Sequence, residues 1–422
     1  MTSSEPDHTE PELTPLDTPA HGVPEVVASP EALAEAVSAM AAGTGPVAVD
    51  AERASGFRYG QRAYLIQLRR QGAGTVLIDP VPLPDLAPLS QALAGVEWVL
   101  HAANQDLPCL AEVGMKPDAL FDTELAGRLL GLPRVGLGPI VAAELGLQLA
   151  KEHSAADWST RPLPEAWLRY AALDVEVLVQ LRDVLAQKLH QAGKLEWALQ
   201  EFEAVRLAPP SPARVQPWRR SAHGVKDQRG LAIIRELWLE RDQIAQSIDL
   251  APGRVLPEAA ITAAGKLKPR SLRQLSQIRE FKQRVAARRL RTWSQAITRA
   301  LALPDEELPS RRPPRDPDAI PAPRSWRDRE PEAARRLEVV KAVVRGHAAQ
   351  LSLPQENLLT PDFQRRLAWA PPQPATAAAI GTQLTALGAR PWQVDQVAEP
   401  LAAGLADPDS PIAQPVRSQE TG

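Results

Sequence analysis

Apolar and polar positions divide the chain into a front part of mixed pattern and a helical remainder. Residues 30–42 repeat apolar side chains at helical spacing, and strand-like alternation follows. Pro46-Val-Ala-Val-Asp50-Ala-Glu52, Ala63-Tyr-Leu-Ile-Gln-Leu68 and Gly74-Thr-Val-Leu-Ile-Asp79 predict three strands joined by short connections. Leu86–Leu93 is helical, Glu97–His101 predicts a fourth strand, and Asn104 is placed to cap the helix after it. From Asp122 to Arg206 the spacing is mostly helical, broken at Pro133, Gly136 and Pro162. Strands, then alternation, then helices predict an α/β sheet domain ending near Leu207.

Pro209, Pro210, Pro212 and Pro217 predict a linker. Beyond it no strand alternation survives. Val225–Ile248 and Glu280–Leu303 read as long amphipathic helices, with shorter ones at Pro257–Ala264 and Ser271–Ser276. Pro304–Pro323 predicts a second linker, and Glu332–Leu405 a last helical region. Leu250-Ala-Pro-Gly-Arg-Val-Leu256 and Leu351-Ser-Leu-Pro-Gln-Glu-Asn-Leu358 echo one another, as one small helical unit used twice would.

Length and composition then narrow the class. At 422 residues, with 44% hydrophobic and 23% charged positions, the chain has room for two or three globular domains, and 42 prolines call for linkers between them. The first 24 residues carry five acidic side chains and no lysine or arginine, which predicts a disordered acidic tail rather than a leader peptide. One cysteine, Cys109, excludes an internal disulfide and a multi-cysteine zinc site. With no run of roughly 18 apolar residues, the expectation is a cytoplasmic protein without a membrane or an obligate protein partner. The net charge of −3 conceals an uneven distribution. Between Arg219 and Arg299 stand 18 basic residues against 7 acidic ones, the footprint of a polyanion-binding segment. Lys266, Lys268, Arg270, Arg273, Lys282, Arg284, Arg288 and Arg289 are its candidate phosphate contacts, although a solvated helix face would look the same.

Three acidic motifs are candidates for chemistry. Asp50 and Glu52, two apart on a strand, project from one face and could share a metal, yet such a pair is weak evidence alone. Asp106 follows the fourth strand inside His101-Ala-Ala-Asn-Gln-Asp-Leu107, where a helix dipole favours a carboxylate. Tyr170 and Asp174, four apart on a helix, share a face. Their order within one domain carries more than any member does. Cys109 is expected to be a small buried hydrophobe, His101 a hydrogen-bonded strand-end residue and Trp293 a core side chain.

These stretches, with Tyr64-Leu-Ile-Gln-Leu68, Phe121-Asp-Thr-Glu-Leu125 and Lys151 through Asp157-Trp-Ser-Thr-Arg-Pro-Leu163, resemble the exonuclease domain of ribonuclease D, of the DEDDy subclass of the ribonuclease H-like fold. The helical units resemble HRDC domains. The resemblance implies a mixed five-stranded sheet flanked by helices, followed by two all-α HRDC-type domains. The corresponding division is an acidic tail at 1–28, an exonuclease domain at 29–208, a linker at 209–223, an HRDC domain at 224–305, a Pro-rich linker at 306–330, a divergent HRDC-like domain at 331–405 and a tail at 406–422.

It further implies two divalent ions, Mg2+ or Mn2+, on Asp50, Glu52, Asp106 and Asp174, a water oriented by Tyr170, and nucleoside 5′-monophosphates as products. The substrate implied is the single-stranded 3′ end of RNA, transfer RNA precursors among the candidates. Carboxylates without thiols suit hard cations of this kind. Where many family members have an aromatic residue after Asp-X-Glu, this chain has Arg53, followed by Gly56-Phe-Arg-Tyr59. Three alternatives stay open: a DNA exonuclease with the same acids, a non-catalytic nucleic-acid-binding protein, and a nucleotide hydrolase, which would lack a Gly-rich phosphate loop.

Overall fold

A computed structural model describes residues 13–408, save 151, 152, 154, 211, 213 and 314–318. Eight strands are present among them: β1 (Thr14–Leu16), β2 (Val26–Val27), β3 (Thr44–Arg53), β4 (Ala63–Gln71), β5 (Gly74–Ile78), β6 (Glu97–Leu100), β7 (Ala119–Asp122) and β8 (Leu147–Leu149). Six form one sheet in the order β2-β5-β4-β3-β6-β7, antiparallel where β3 meets β4 and β4 meets β5, parallel elsewhere. The implied mixed sheet is therefore present, with the two-residue β2 as a sixth strand at its edge.

The two faces of the hairpin β3–β4 explain where the chemistry lies. Asp50 pairs with Gln67 and Glu52 with Leu65, so these four side chains share one face. Leu65 there packs with Trp158, Ala171 and Ala172, which places the helix Glu165–Glu176 over that face. Val49, Ala51, Ile66 and Leu68 point the other way into the main core. The helix Pro30–Ala42 starts where Ser29 Oγ accepts from Ala32 N at 3.2 Å and Pro30 occupies the first turn, and it sinks Met40 into that core.

Several boundaries differ from the sequence expectation. Residues 13–28 do not belong to a tail: β1 pairs with β8 and β2 extends the main sheet, pairings too short to produce visible alternation. Residues 1–12 and 409–422, and Lys151, lie outside the described residues. The linker at 209–223 ends early, because Trp218, in a 3-10 turn at Pro217–Ala222, is buried in the first helical unit. The linker at 306–330 likewise gives up its end, since Trp326 is fully buried, rests 5.0 Å from Trp369 and donates from Nε1 to Pro321 O. Asn104 caps no α-helix; it sits inside a 3-10 turn, Ala103–Gln105, and Asp106 occupies the cap position of Leu107–Glu112. Glu280–Leu303 is not one helix but two short turns followed by the helix Leu290–Ala302, set so that Phe281 and Trp293 are both buried and Trp293 Nε1 can donate to Ala286 O.

The two helical units repeat one backbone plan. Helices starting at Gln228, Pro252 and Glu258 have counterparts starting at Pro331, Gln355 and Pro361, each 103 positions later. The left-handed residue in the turn keeps this register too, Asp249 in one unit and Ser352 in the other.

Their attachment differs. The first unit has a core of its own around Trp293 and Leu237, whereas the second shares the core of the sheet domain. Trp392 stacks on Trp197 with centroids 4.9 Å apart and donates from Nε1 to Glu201 Oε1, which also pairs with Arg390. Lys194 Nζ donates to Leu129 O and Leu351 O across the same junction. Gly131 is required there: it has positive φ, and a Cβ on it would stand 2.2 Å from Ser352 O. No helix among the described residues is long and apolar enough to cross a membrane.

Candidate active site

A cleft of about 640 Å³ opens where β3 ends, lined by Asp50, Glu52, Arg53, His101, Asp106, Tyr170 and Asp174 together with the turn Ser55-Gly-Phe57. Asp50, Glu52 and Asp174 each offer one carboxylate oxygen, and these oxygens lie within 4.8 Å of one another, so the three could hold a metal ion. Asp106 lines the same cleft outside that group, with Arg53 Nη2 3.6 Å from its Oδ1. The sequence-predicted acids and Tyr170 thus converge on one cleft. The eight basic candidates do not: they lie on the first helical unit, where Lys268 pairs with Asp227 and, among the described residues, the other seven form no ion pair.

Crowding of buried like charges shows in their proton affinities. Burial, then the charges of Asp50, Asp174 and Asp106, lifts Glu52 to about 10. Burial and Asp50 lift Asp106 to about 8, and burial lifts Asp50 to about 6 against the pull of the Ala51 amide and Arg53. Burial, Asp174 and Glu52 raise Tyr170 above its ordinary value, so its phenol keeps its proton. A set of hard oxygen donors that cannot all ionise alone fits a hard divalent cation, which would restore their charge.

Local structure explains each placement. Asp106 is presented by a tight turn in which Ala102 adopts positive φ, and Asp122 holds that turn by accepting from Ala102 N and Ala103 N. Asp122 also caps the helix Thr123–Leu129 through Glu124 N and Leu125 N. Thr123 Oγ1 donates to Leu100 O, which leaves it to accept from His101 Nδ1 at 2.9 Å; burial keeps that imidazole neutral by lowering it to about 4. Cys109 is buried and donates from Sγ to Asp106 O. Tyr170 rests near Trp158, whose segment is clamped by Arg161: its guanidinium meets Asp79 at 2.6 and 2.8 Å and donates to Tyr64 O and Trp158 O.

Asp122, Arg161 and Phe57 lie in stretches that carry or depart from the family resemblance, but sequence reasoning gave none of the three a role of its own. An Asp before Thr-Glu is a readable cap signal and Phe57 follows Glu52 closely in sequence, whereas nothing local marks Arg161 as a brace of the site.

Comparison with known proteins agrees with the order of domains along the chain. Residues 24–190 match a family model described as 3′-5′ exonuclease, 230–297 an HRDC domain, and 319–405 a 3′ to 5′ exonuclease C-terminal domain. A ribonuclease D from Gluconacetobacter diazotrophicus is 32% identical over 62% of this chain and 68% of its own length. One from Acidiphilium cryptum is 30% identical over 72% and 79%. A crystal structure of a protein from Bifidobacterium adolescentis superposes with a TM-score of 0.86 at 38% identity, covering 94% of this chain and all of the other. Escherichia coli RNase D, described as an exoribonuclease involved in structured RNA processing, gives 0.63 at 25% identity, covering 86% and 98%.

Proposed function

The chain belongs to the ribonuclease D family and is a 3′-5′ exoribonuclease, and from that premise we propose that Asp50, Glu52, Asp106 and Asp174 hold its divalent cations and that Tyr170 orients the attacking water. The observation that carries this reading is the meeting of Asp50, Glu52 and Asp174 within 4.8 Å in a cleft that Asp106 and Tyr170 also line. A pair of magnesium or manganese ions would supply activation of water and stabilisation of the leaving 3′ oxygen.

The residues of the chain do the rest. Tyr170, protonated throughout the working range, is a hydrogen-bond partner rather than a base. Arg53, at the mouth beside Asp106 and Gln105, is placed to meet the phosphate or base of the incoming strand. The exposed cations Lys266, Arg270, Arg273, Lys282, Arg284 and Arg288, with the half-buried Lys268 and Arg289, track the phosphates behind it. Single-stranded RNA 3′ ends are the substrate, and the two helical units at 217–308 and 319–405 are copies of one HRDC-type module. A labelled single-stranded RNA should release nucleoside 5′-monophosphates with Mg2+. Release should stop with chelator and in Asp50→Asn; undiminished release in Asp50→Asn would refute the site.

A further inference from the structure

The strands β3 and β4 are joined by residues 54–62, far longer than a tight hairpin needs, and this connection supplies Ser55, Gly56 and Phe57 to the wall of the acidic cleft. Its own hydrogen bonds are few: Phe57 N and Arg58 N donate to Ala54 O, and Ser55 Oγ to Gln61. Arg58 Nε donates to Ser159 Oγ and Phe57 packs against the cluster around Trp158 in the exonuclease domain, and the HRDC domain braces the connection as well. Arg254 lays its guanidinium over the Phe57 ring, 4.1 Å from the centroid, and donates from Nε to Gly56 O at 2.7 Å. Ala251 N donates to Phe57 O. Two residues on, Tyr59 donates from its backbone to Asp249 and from its hydroxyl to Asp242.

We propose that Arg254, a residue of the HRDC domain, is a positioning residue for the exonuclease cleft: through Phe57 and Gly56 it fixes the wall against which the 3′-terminal nucleotide is held. The HRDC domain is then part of the nuclease site and not only a surface for distant RNA. This inference rests on the cleft being the exonuclease site. A long surface loop left to itself samples many conformations, and each substrate molecule bound must pay for ordering it. A charged hydrogen bond and a cation–π contact supply that order beforehand.

The test uses the full-length protein and a trinucleotide RNA, which leaves few phosphates for any second surface. Arg254→Ala should raise KM for the trinucleotide about tenfold with kcat within about twofold, as expected from losing one charged hydrogen bond and one cation–π contact. Arg254→Lys keeps the charge without the planar fork and should recover only part of the loss. Phe57→Ala should give a similar KM, and the double variant should be no worse than the single ones. Tyr59→Phe, which removes only the hydroxyl bond to Asp242, should raise KM about threefold.

An unchanged KM for the trinucleotide with weakened binding of long RNA would make Arg254 a contact to RNA and overturn the proposal. So would a fall in kcat at constant KM, which is what partial misfolding gives. Asp50→Asn on the same trinucleotide separates the levels: if it stays active the site assignment fails, and if it is dead while Arg254→Ala matches wild type, only the present inference fails.

Discussion

Arg53 Nη2 stands 3.6 Å from Asp106 Oδ1, in the cleft that Asp50, Glu52 and Asp174 also line. It neutralises part of the charge a metal ion would neutralise, so on the proposed assignment of Asp106 as a ligand the arginine and the ion would compete for it. Arg53→Ala should therefore bind Mn2+ several-fold more tightly, measured by calorimetry, while its KM for RNA rises. Weaker Mn2+ binding in the variant would show that Arg53 supports the acids instead of competing with cations.

Tyr170 is raised by burial and by Asp174, so the phenol is a donor that never ionises in the working range. Tyr170→Phe should lower kcat about 100-fold, the scale of one positioned catalytic hydrogen bond, and leave KM and Mn2+ affinity near wild type. Its pH–rate profile should keep the shape of wild type. A variant with unaltered kcat would remove Tyr170 from the mechanism.

Without metal, the acidic cluster sets a pH trend. Glu52, at about 10, and Asp106, at about 8, bind protons more tightly folded than unfolded, where both titrate near 4. Below that range the folded and unfolded forms are both protonated; as pH rises the unfolded form ionises first, so the folded state loses stability until its own pKa is passed. The Tm of chelated protein should therefore fall between pH 5 and pH 8 by more than that of Asp106→Asn. Saturating Mg2+ should remove or reverse the slope. A rising Tm in the chelated wild type would contradict the mutual repulsion of these groups.

What was legible in advance follows from how far apart the interacting residues are. Strand alternation put Asp50 and Glu52 on one face and helical spacing did the same for Tyr170 and Asp174, because both patterns are local, but only their order in the set and the family resemblance made them a site. Asp106 could be placed only by its order in the set, since its position depends on Ala102 at positive φ and on the grip of Asp122 from the neighbouring strand. β1 and β8 were invisible because three residues carry no periodicity and their pairing spans more than a hundred positions. The repeat was audible as an echo between Leu250–Leu256 and Leu351–Leu358, although the 103-residue register sets Leu250 against Leu353; the stack of Trp392 on Trp197 was not, as no local pattern links those residues.

That stack and the separate core around Trp293 imply two cooperative units interleaved along the chain. Trp293 is fully buried in the HRDC core and donates to Ala286 O, so Trp293→Ala should cost about 3–5 kcal/mol there. Hydrogen exchange read by mass spectrometry should show protection lost across 217–303 and at 54–62, the connection that Arg254 and Asp249 brace, while the sheet stays protected. Trp392→Ala strikes the other unit. It opens a void against Trp197 and takes a hydrogen-bond donor from Glu201, so protection should fall both in 319–405 and in the helix Leu195–Arg206. If Trp293→Ala instead lowered protection throughout the sheet, the HRDC core would not be independent. If it spared 54–62, the order of that connection would come from the exonuclease domain alone.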